Sequence, residues 1–341
     1  MLRLRIVLDS MGGDKAPREI IKGTVKAVNE FSDLKVILTG KETKIKNILK
    51  EFNYKADTIK VVNASQTVSM DDKPSSVLRN KKDSSLLVAC KLIKEDKADA
   101  LISAGNTGAV MAAAIFKIGR ITNLNRPPIA TVFPSKIGNT IVLDAGANVD
   151  STPKHLIQFA IMGSIYAEQV LNISNPRVGL LSIGEEKEKG NKLNSNTFEL
   201  LEQEDRVENF IGNVEGRDIF NGSCDVVVCD GFVGNIVLKT TEGVASYVFD
   251  LLKEALTKNL KSKLGALLLK EELNQMKDKV DYRQYGGAPL LGLQGLVIIG
   301  HGSSDDQAIY NAIKVARAAI DNNLVDIIKD KLKNSGQSRG D

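Results

Sequence analysis

Short apolar runs that each break off in a small loop of Gly, Asn, Asp and Ser recur six times in this chain. The loops are DSMGGD (Asp9–Asp14), SAGNTG (Ser103–Gly108), DAGANVD (Asp144–Asp150), SIGEE (Ser182–Glu186), DGFVGN (Asp230–Asn235) and HGSSDD (His301–Asp306). The runs before several of them, such as Leu4–Leu8, Ala100–Ser103, Thr140–Asp144 and Leu296–Ile299, are rich in Val, Ile and Leu with little alternation. That pattern belongs to strands buried on both faces, as in a parallel sheet. Further strands are expected at Lys35–Thr39, Ile59–Asn63, Ala130–Phe133, Val178–Ser182, Val207–Ile211 and Asp225–Cys229. Helical patterns lie between them, most clearly at Ser84–Glu95, Thr107–Ile118, Pro153–Leu171, Leu193–Glu204, Asn235–Leu260 and Ser304–Asn322. Pro153 behind Ser151 and Thr152 is a good helix start. Alternating strands and helices give a three-layer α/β/α fold with a mainly parallel sheet. In such sheets the loops leaving the carboxyl ends of the strands line the ligand crevice. Backbone N–H groups and helix N-termini at those loops suit an anion.

The 341 residues show no Pro/Ser-rich linker, repeat or low-complexity tract, so a single α/β domain over residues 1–333 is expected, with a polar tail at 334–341. A net charge of +4 spread among 42 acidic residues, no Trp and only 5% aromatics argue against a nucleic-acid partner. MLRLRIVLDS reads as a first strand rather than a leader, and no apolar run is long enough to cross a membrane. Three cysteines, Cys90, Cys224 and Cys229, suit reduced thiols and a cytoplasmic location; Cys224 and Cys229 flank a strand and fit no zinc spacing.

One segment stands apart. Over residues 247–279, Leu252, Leu256, Leu260, Leu264 and Leu268 recur every four positions among lysines, and Gly265 interrupts the pattern. An amphipathic helix pair is expected there. Its apolar tip could touch an anionic membrane surface or pack against another helix.

Several chemistries drop out. The chain has no GxGxxG, GxxxxGK[ST], HExxH or GxSxG, and only two histidines. No nucleotide fingerprint, multi-His zinc site or nucleophile elbow is therefore expected, and no cofactor or metal. Anion chemistry remains. In SAGNTG, Asn106, Thr107 and Gly108 open a helix, where Asn and Thr are also ordinary caps. DAGANVD supplies Asp144 and Asn148, and DGFVGN supplies Asp230, Gly231 and Asn235. Three loops of one chemistry on one rim favour a shared site. In GEEKEKGNK, Lys187 and Lys192 read as solvated, and Lys189 beside Gly190 could reach a phosphate. His301 could bind an anion, act as an acid or base, or simply end a strand. His155 reads as a surface residue. YGGAPLLG (Tyr285–Gly292) could wall an apolar tunnel or turn the chain.

Taken in order, DSMGGDKAP, SAGNTGAVMA, LDAGANVD, GNVEGRD, DGFVGNIVLKTTEG and YGGAPLLGLQG…HGSSD resemble the phosphate acyltransferase family of bacterial phospholipid synthesis, from Arg5 to about Leu332. The chain departs from that pattern at Ser10, Gln294 and Gly300. The resemblance implies transfer of a fatty acyl group from acyl carrier protein to inorganic phosphate. The acyl phosphate formed would be consumed by a glycerol-3-phosphate acyltransferase. It also implies a homodimer with an isocitrate/isopropylmalate dehydrogenase-like fold, peripherally bound to the inner face of the cell membrane through Leu264, Leu267, Leu268 and Leu269. Lys189, Asn235 and His301 then become the expected catalytic residues. Asn106, Thr107, Gly108, Asp144, Asn148, Asn213, Asp230 and Gly231 become the expected substrate-binding set. Two other functions fit the loops: a phosphate acetyl- or butyryltransferase using acyl-CoA, and a non-catalytic anion-binding scaffold on the membrane.

Overall fold

The computed structural model describes residues 4–280, 284 and 286–333. The polar tail and Tyr285 of YGGAPLLG fall outside the described residues. In chain order the strands are β1 (Leu4–Asp9), β2 (Leu34–Gly40), β3 (Ile59–Asn63), β4 (Ala100–Ser103), β5 (Thr131–Ser135), β6 (Gly138–Leu143), β7 (Val178–Leu181), β8 (Phe210–Val214), β9 (Val226–Val228), β10 (Ala288–Pro289) and β11 (Leu296–Ile299). The helices begin with α1 (Arg18–Glu30), α2 (Glu42–Leu49), α3 (Pro74–Asn80), α4 (Ser85–Lys94), α5 (Thr107–Ala113) and α6 (Pro153–Leu171). They continue with α7 (Lys192–Leu201), α8 (Asp218–Asn221), α9 (Gly231–Thr257), α10 (Leu260–Leu268), α11 (Lys270–Val280), α12 (Asp306–Asp321) and α13 (Leu324–Lys333).

These strands form two sheets, where one was expected. The first has the order β10-β11-β4-β1-β2-β3 and the second β5-β6-β9-β7-β8. Each is parallel except for one antiparallel edge pair, β10 with β11 and β5 with β6. The mainly parallel α/β/α class holds; the division reflects twist, which accumulates across a wide open sheet until it splits. One apolar core still joins both sheets. It contains Ile6 and Leu8 of β1, Ile141 and Leu143 of β6, and Phe159 and Tyr166 of α6.

Local chemistry explains the elements that frame the site. Thr152 caps α6 by accepting from the His155 N–H, His155 Nδ1 accepts from the Thr152 N–H in return, and Pro153 occupies the first turn. That is a capping box, and it places the helix start where the sequence reading put it. Inside α6, Gly163 lets the helix lie directly on Leu143 and Val226 of the second sheet; a Cβ there would come 2.6 Å from Val226 Cγ1. β5 runs through Pro134, which costs no ladder bond on an edge strand.

Some boundaries differ from expectation. β8 begins at Phe210, three residues late, because Val207 turns back to the Glu204 carbonyl. The helix expected at Thr107–Ile118 is α5 continued by a π-helical segment, Ala114–Ile118. The helix pair over 247–279 is instead the far end of α9 followed by α10 and α11. Asn259 caps α10 by accepting from the Ser262 N–H, so the break falls there, and Gly265 sits inside α10. An interior glycine costs only about 1 kcal/mol, too little to end a helix that a cap has started. All three cysteines are buried and unpaired.

Candidate active site

Every one of the six polar loops leaves the carboxyl end of a strand, and they divide evenly between the sheets. DSMGGD, SAGNTG and HGSSDD follow β1, β4 and β11; DAGANVD, SIGEE and DGFVGN follow β6, β7 and β9. In the first cluster the loops touch through backbone. A Cβ on Gly12 would come 2.7 Å from Asp9 Oδ2 and 2.9 Å from the Gly105 nitrogen, and the Asp14 N–H donates to the Gly302 carbonyl at 2.8 Å. Asp9 is buried and accepts from Ser103 Oγ at 2.9 Å and from the Met11 N–H at 3.3 Å. Burial pushes its carboxyl above the usual range, against the pull of those donors.

The second cluster is organised by Asp144, at the matching position of β6. Its Oδ1 accepts from the N–H groups of Ile129 (2.9 Å), Gly146 (3.2 Å) and Ala147 (3.0 Å). Its Oδ2 accepts from the Asn148 N–H (2.6 Å) and side-chain amide (2.8 Å). Burial raises this carboxyl too, with the donors of Ala147, Ile129 and Asn148 opposing. The same Asn148 amide donates to the Pro127 carbonyl at 3.0 Å, and the Gly231 N–H donates to the Asn148 carbonyl at 2.9 Å. α9 therefore starts in contact with the DAGANVD loop. Cβ atoms on Gly231 and Gly234 would fall 2.5 Å from the Asn148 carbonyl oxygen and 1.9 Å from that of Asp144.

Hydrogen bonding sorts the expected residues by what is left for a ligand. Asn106 caps α5 by accepting from the Ala109 N–H, and its amide donates to the Met70 and Asp72 carbonyls at 2.6 and 3.1 Å. Asp230 caps α9 by accepting from the Val233 N–H at 3.0 Å. Asn213 is buried and donates to the Glu186 carbonyl at 2.8 Å. Together with Asp144 and Asn148, these side chains hold loops. Gly231 permits a close approach, and Gly108 packs on Pro74. Lys189 and Asn235 are exposed and make no side-chain hydrogen bond or ion pair among the described residues, whereas Lys187 pairs with Glu202. Thr107 is exposed in the first turn of α5. His301 lies in the first cluster, its Nδ1 2.7 Å from Ser303 Oγ and accepting from the Ser303 N–H at 3.2 Å.

The two clusters share an apolar layer. Ala109, Val110 and Ala113 of α5 pack with Ala145, and Ala147 and Leu238 lie against them. Lys189 rides on a loop closed by its own bonds. Its N–H donates to the Glu186 carbonyl at 3.0 Å, and Ser182 Oγ donates to its carbonyl at 3.1 Å. Asn194 ties α7 to the Leu181 carbonyl at 2.6 Å. Sequence reasoning gave no role to Ser182, Asn194 or Asp9. The available signal was the repeated run IVLD, at Ile6–Asp9 and again at Ile141–Asp144.

Cavities of about 470 and 520 Å³ have other linings, Lys154, Gln158, Glu204 and Arg206 for one, Leu49, Phe52, Tyr54 and Val61 for the other. Neither is lined by the six loops, whose place at the carboxyl ends of the strands is where such sheets bind ligands. Among the described residues no group of three or more His, Cys, Asp or Glu is placed to hold a metal ion.

Residues 4–327 match the fatty acid synthesis protein family. The chain is 58% identical to the phosphate acyltransferase of Halothermothrix orenii, over 98% of its own length and 100% of the relative. It is 50% identical to that of Desulfitobacterium hafniense over 96% and 97%. Its fold is similar to that of a solved structure, the EutD phosphotransacetylase of Staphylococcus aureus, with a TM-score of 0.60, 17% identity and coverage of 92% and 94%.

Proposed function

Since the chain belongs to the fatty acid synthesis protein family and is an acyltransferase acting on phosphate in lipid synthesis, we propose that its acyl donor is acyl carrier protein and that the second-sheet loops carry the transfer. Phosphate oxygen attacks the thioester carbonyl, the new C–O bond forms, and the C–S bond breaks to release the carrier thiol. The reaction needs no enzyme nucleophile. It needs a fixed anion, a stabilised oxyanion and exclusion of water. Lys189 supplies charge for the phosphate, and Asn235 supplies an amide for the oxyanion. The observation behind this assignment is that both side chains are left unpaired, one on the loop after β7 and one in the first turns of α9 after the adjacent β9, while the amide of Asn213 and the carboxylate of Asp230 are used in holding loop and helix. Asp144 and Asp230 hold donors in place, since a carboxylate repels phosphate. His301 and Thr107, on the first-sheet loops, face the same substrate as an acid for the departing thiolate and an anion donor.

Acyl phosphate should appear by mass spectrometry when the protein is given acyl carrier protein thioester and phosphate with no added metal. A phosphate-independent signal, or none, ends the reading. Lys189→Ala and Asn235→Ala should each lower turnover more than tenfold, on the order of 1.4 kcal/mol or more; wild-type rates remove them from the site.

The protein acts, on this reading, as a homodimer at a membrane surface and hands its acyl phosphate to a glycerol-3-phosphate acyltransferase. Exposed Val244, Tyr247, Val248 and Leu251 along the distal half of α9 offer a face for a second copy. Among the described residues no helix is long and apolar enough to cross a membrane. On and just after α10, however, Leu264, Leu267, Leu268 and Leu269 are exposed, Leu268 by 79% and Leu267 by 67%, with Lys261, Lys263 and Lys270 close in sequence. An apolar tip ringed by lysines suits an anionic interface. Changing Leu267 and Leu268 to Glu should abolish co-sedimentation with anionic vesicles while acyl phosphate formation in solution persists. Undiminished sedimentation would assign the tip to packing.

A further inference from the structure

Each polar loop of the second sheet also carries a large apolar side chain in solvent. Val149 after β6 is 65% exposed and Ile183 after β7 is 81% exposed; Phe232 and Ile236, at the start of α9, are 57% and 48% exposed. Apolar residues scattered singly over a surface need no explanation. Four on three neighbouring loops do. β6, β9 and β7 lie side by side in that order, so the loop bearing Phe232 is flanked by those bearing Val149 and Ile183. With strands about 4.8 Å apart, the three loop origins span roughly 10 Å.

The first turns of α9 give this surface a direction. Phe232, Asn235 and Ile236 share one helix face by their spacing. Gly231 and Gly234, to one side of it, are pressed onto the Asp144 loop, and Asn235 lies between, its Cβ and Oδ1 each 3.2 Å from where a Cβ on Gly146 would stand. Apolar surface is therefore continuous with the one amide proposed to meet an oxyanion.

We propose that Val149, Ile183, Phe232 and Ile236 seat the alkyl chain of the acyl donor, with its thioester carbonyl held between Asn235 and Lys189. This rests on the acyl-transfer reading of those two residues. An acyl thioester is an alkyl chain ending in a polar carbonyl, and the loops present the same two chemistries in the same order. A second copy of the chain is the poorer occupant. Glu185, Glu186, Lys187 and Glu188 follow directly on Ile183, and the buried centre of a protein interface is depleted of charge.

Each methylene taken from water contributes roughly fourfold in affinity, so the seat reads chain length. Ile183 and Phe232 are exposed, and replacing both with Ser leaves the core intact. The double variant I183S/F232S is compared with the unchanged protein on carrier protein charged with hexadecanoyl or butyryl groups, and light scattering gives its mass. The ratio of kcat/KM for the long chain over the short one should fall at least tenfold at unchanged mass. An unchanged ratio overturns the inference, whether both rates hold or both fall. A lower mass with equal losses on both chains gives the patch to a second copy. If the unchanged protein makes no acyl phosphate from either thioester, it is the acyl-transfer reading that falls.

Discussion

Gly234→Ala should lower acyl phosphate formation at least a hundredfold and cost about 2–4 kcal/mol of stability. The size of the effect comes from a contest between two terms. In a helix interior Ala is better than Gly by about 1 kcal/mol. At Gly234 that gain is overwhelmed, because the new Cβ would stand 1.9 Å from the Asp144 carbonyl oxygen, 2.9 Å from its carbon and 3.0 Å from Cys229 Sγ. No side-chain rotation relieves a contact between a Cβ and a backbone oxygen. The start of α9 must lift, and Asn235 lifts with it; a displacement of about 1 Å at a reacting group is worth on the order of a hundredfold. Gly243, on the same helix, has nothing within 4 Å of where its Cβ would be. Gly243→Ala should therefore leave turnover alone and raise stability by at most about 1 kcal/mol. Equal behaviour of the two variants in turnover and in denaturant unfolding would refute the contact argument.

Asp144→Asn should be nearly as damaging, with a loss of about 2–4 kcal/mol and at least a tenfold drop in turnover. The amide has the shape of the carboxylate but only one acceptor oxygen. If that oxygen faces Ile129, Gly146 and Ala147, the new NH₂ meets the two donors of Asn148; turned over, it meets the other three. Either way buried donors lose their acceptor, and a buried donor without a partner costs about 1–3 kcal/mol. The DAGANVD loop then loses its closure, and the floor under α9 goes with it. Denaturant unfolding and the acyl phosphate assay measure both effects, and unchanged values in both would show that the five contacts carry no weight.

Much of the architecture is legible in the sequence, for reasons that particular residues make clear. Leu4–Leu8 and Ala100–Ser103 are buried on nearly every position, so their near-continuous apolar character marked them as strands. Pro153 and Thr152 marked the start of α6 through local bonding alone. Sheet membership was not legible. β9 slips between β6 and β7, and β11 returns to β4 across most of the chain; such pairings depend on tertiary packing, which periodicity does not record. The site divides in the same way. Gly, Asn and Asp at strand ends located the loops, but Asn106 as a cap and Asn235 as an unpaired amide have similar short contexts. Only the positions of Met70 and Asp72, brought from another part of the chain, show that the Asn106 amide is taken.

The continuity of α9 has a mechanical consequence. Its 27 residues make a rod roughly 40 Å long. One end is wedged against Asp144 by two glycines, and the other leads through Asn259 to the leucines of α10. A stiff rod held at one end is a lever. A tilt of about 5° about the glycine fulcrum swings the far end by roughly 3–4 Å, and any load on the leucines returns as torque on the backbone that carries Asn235.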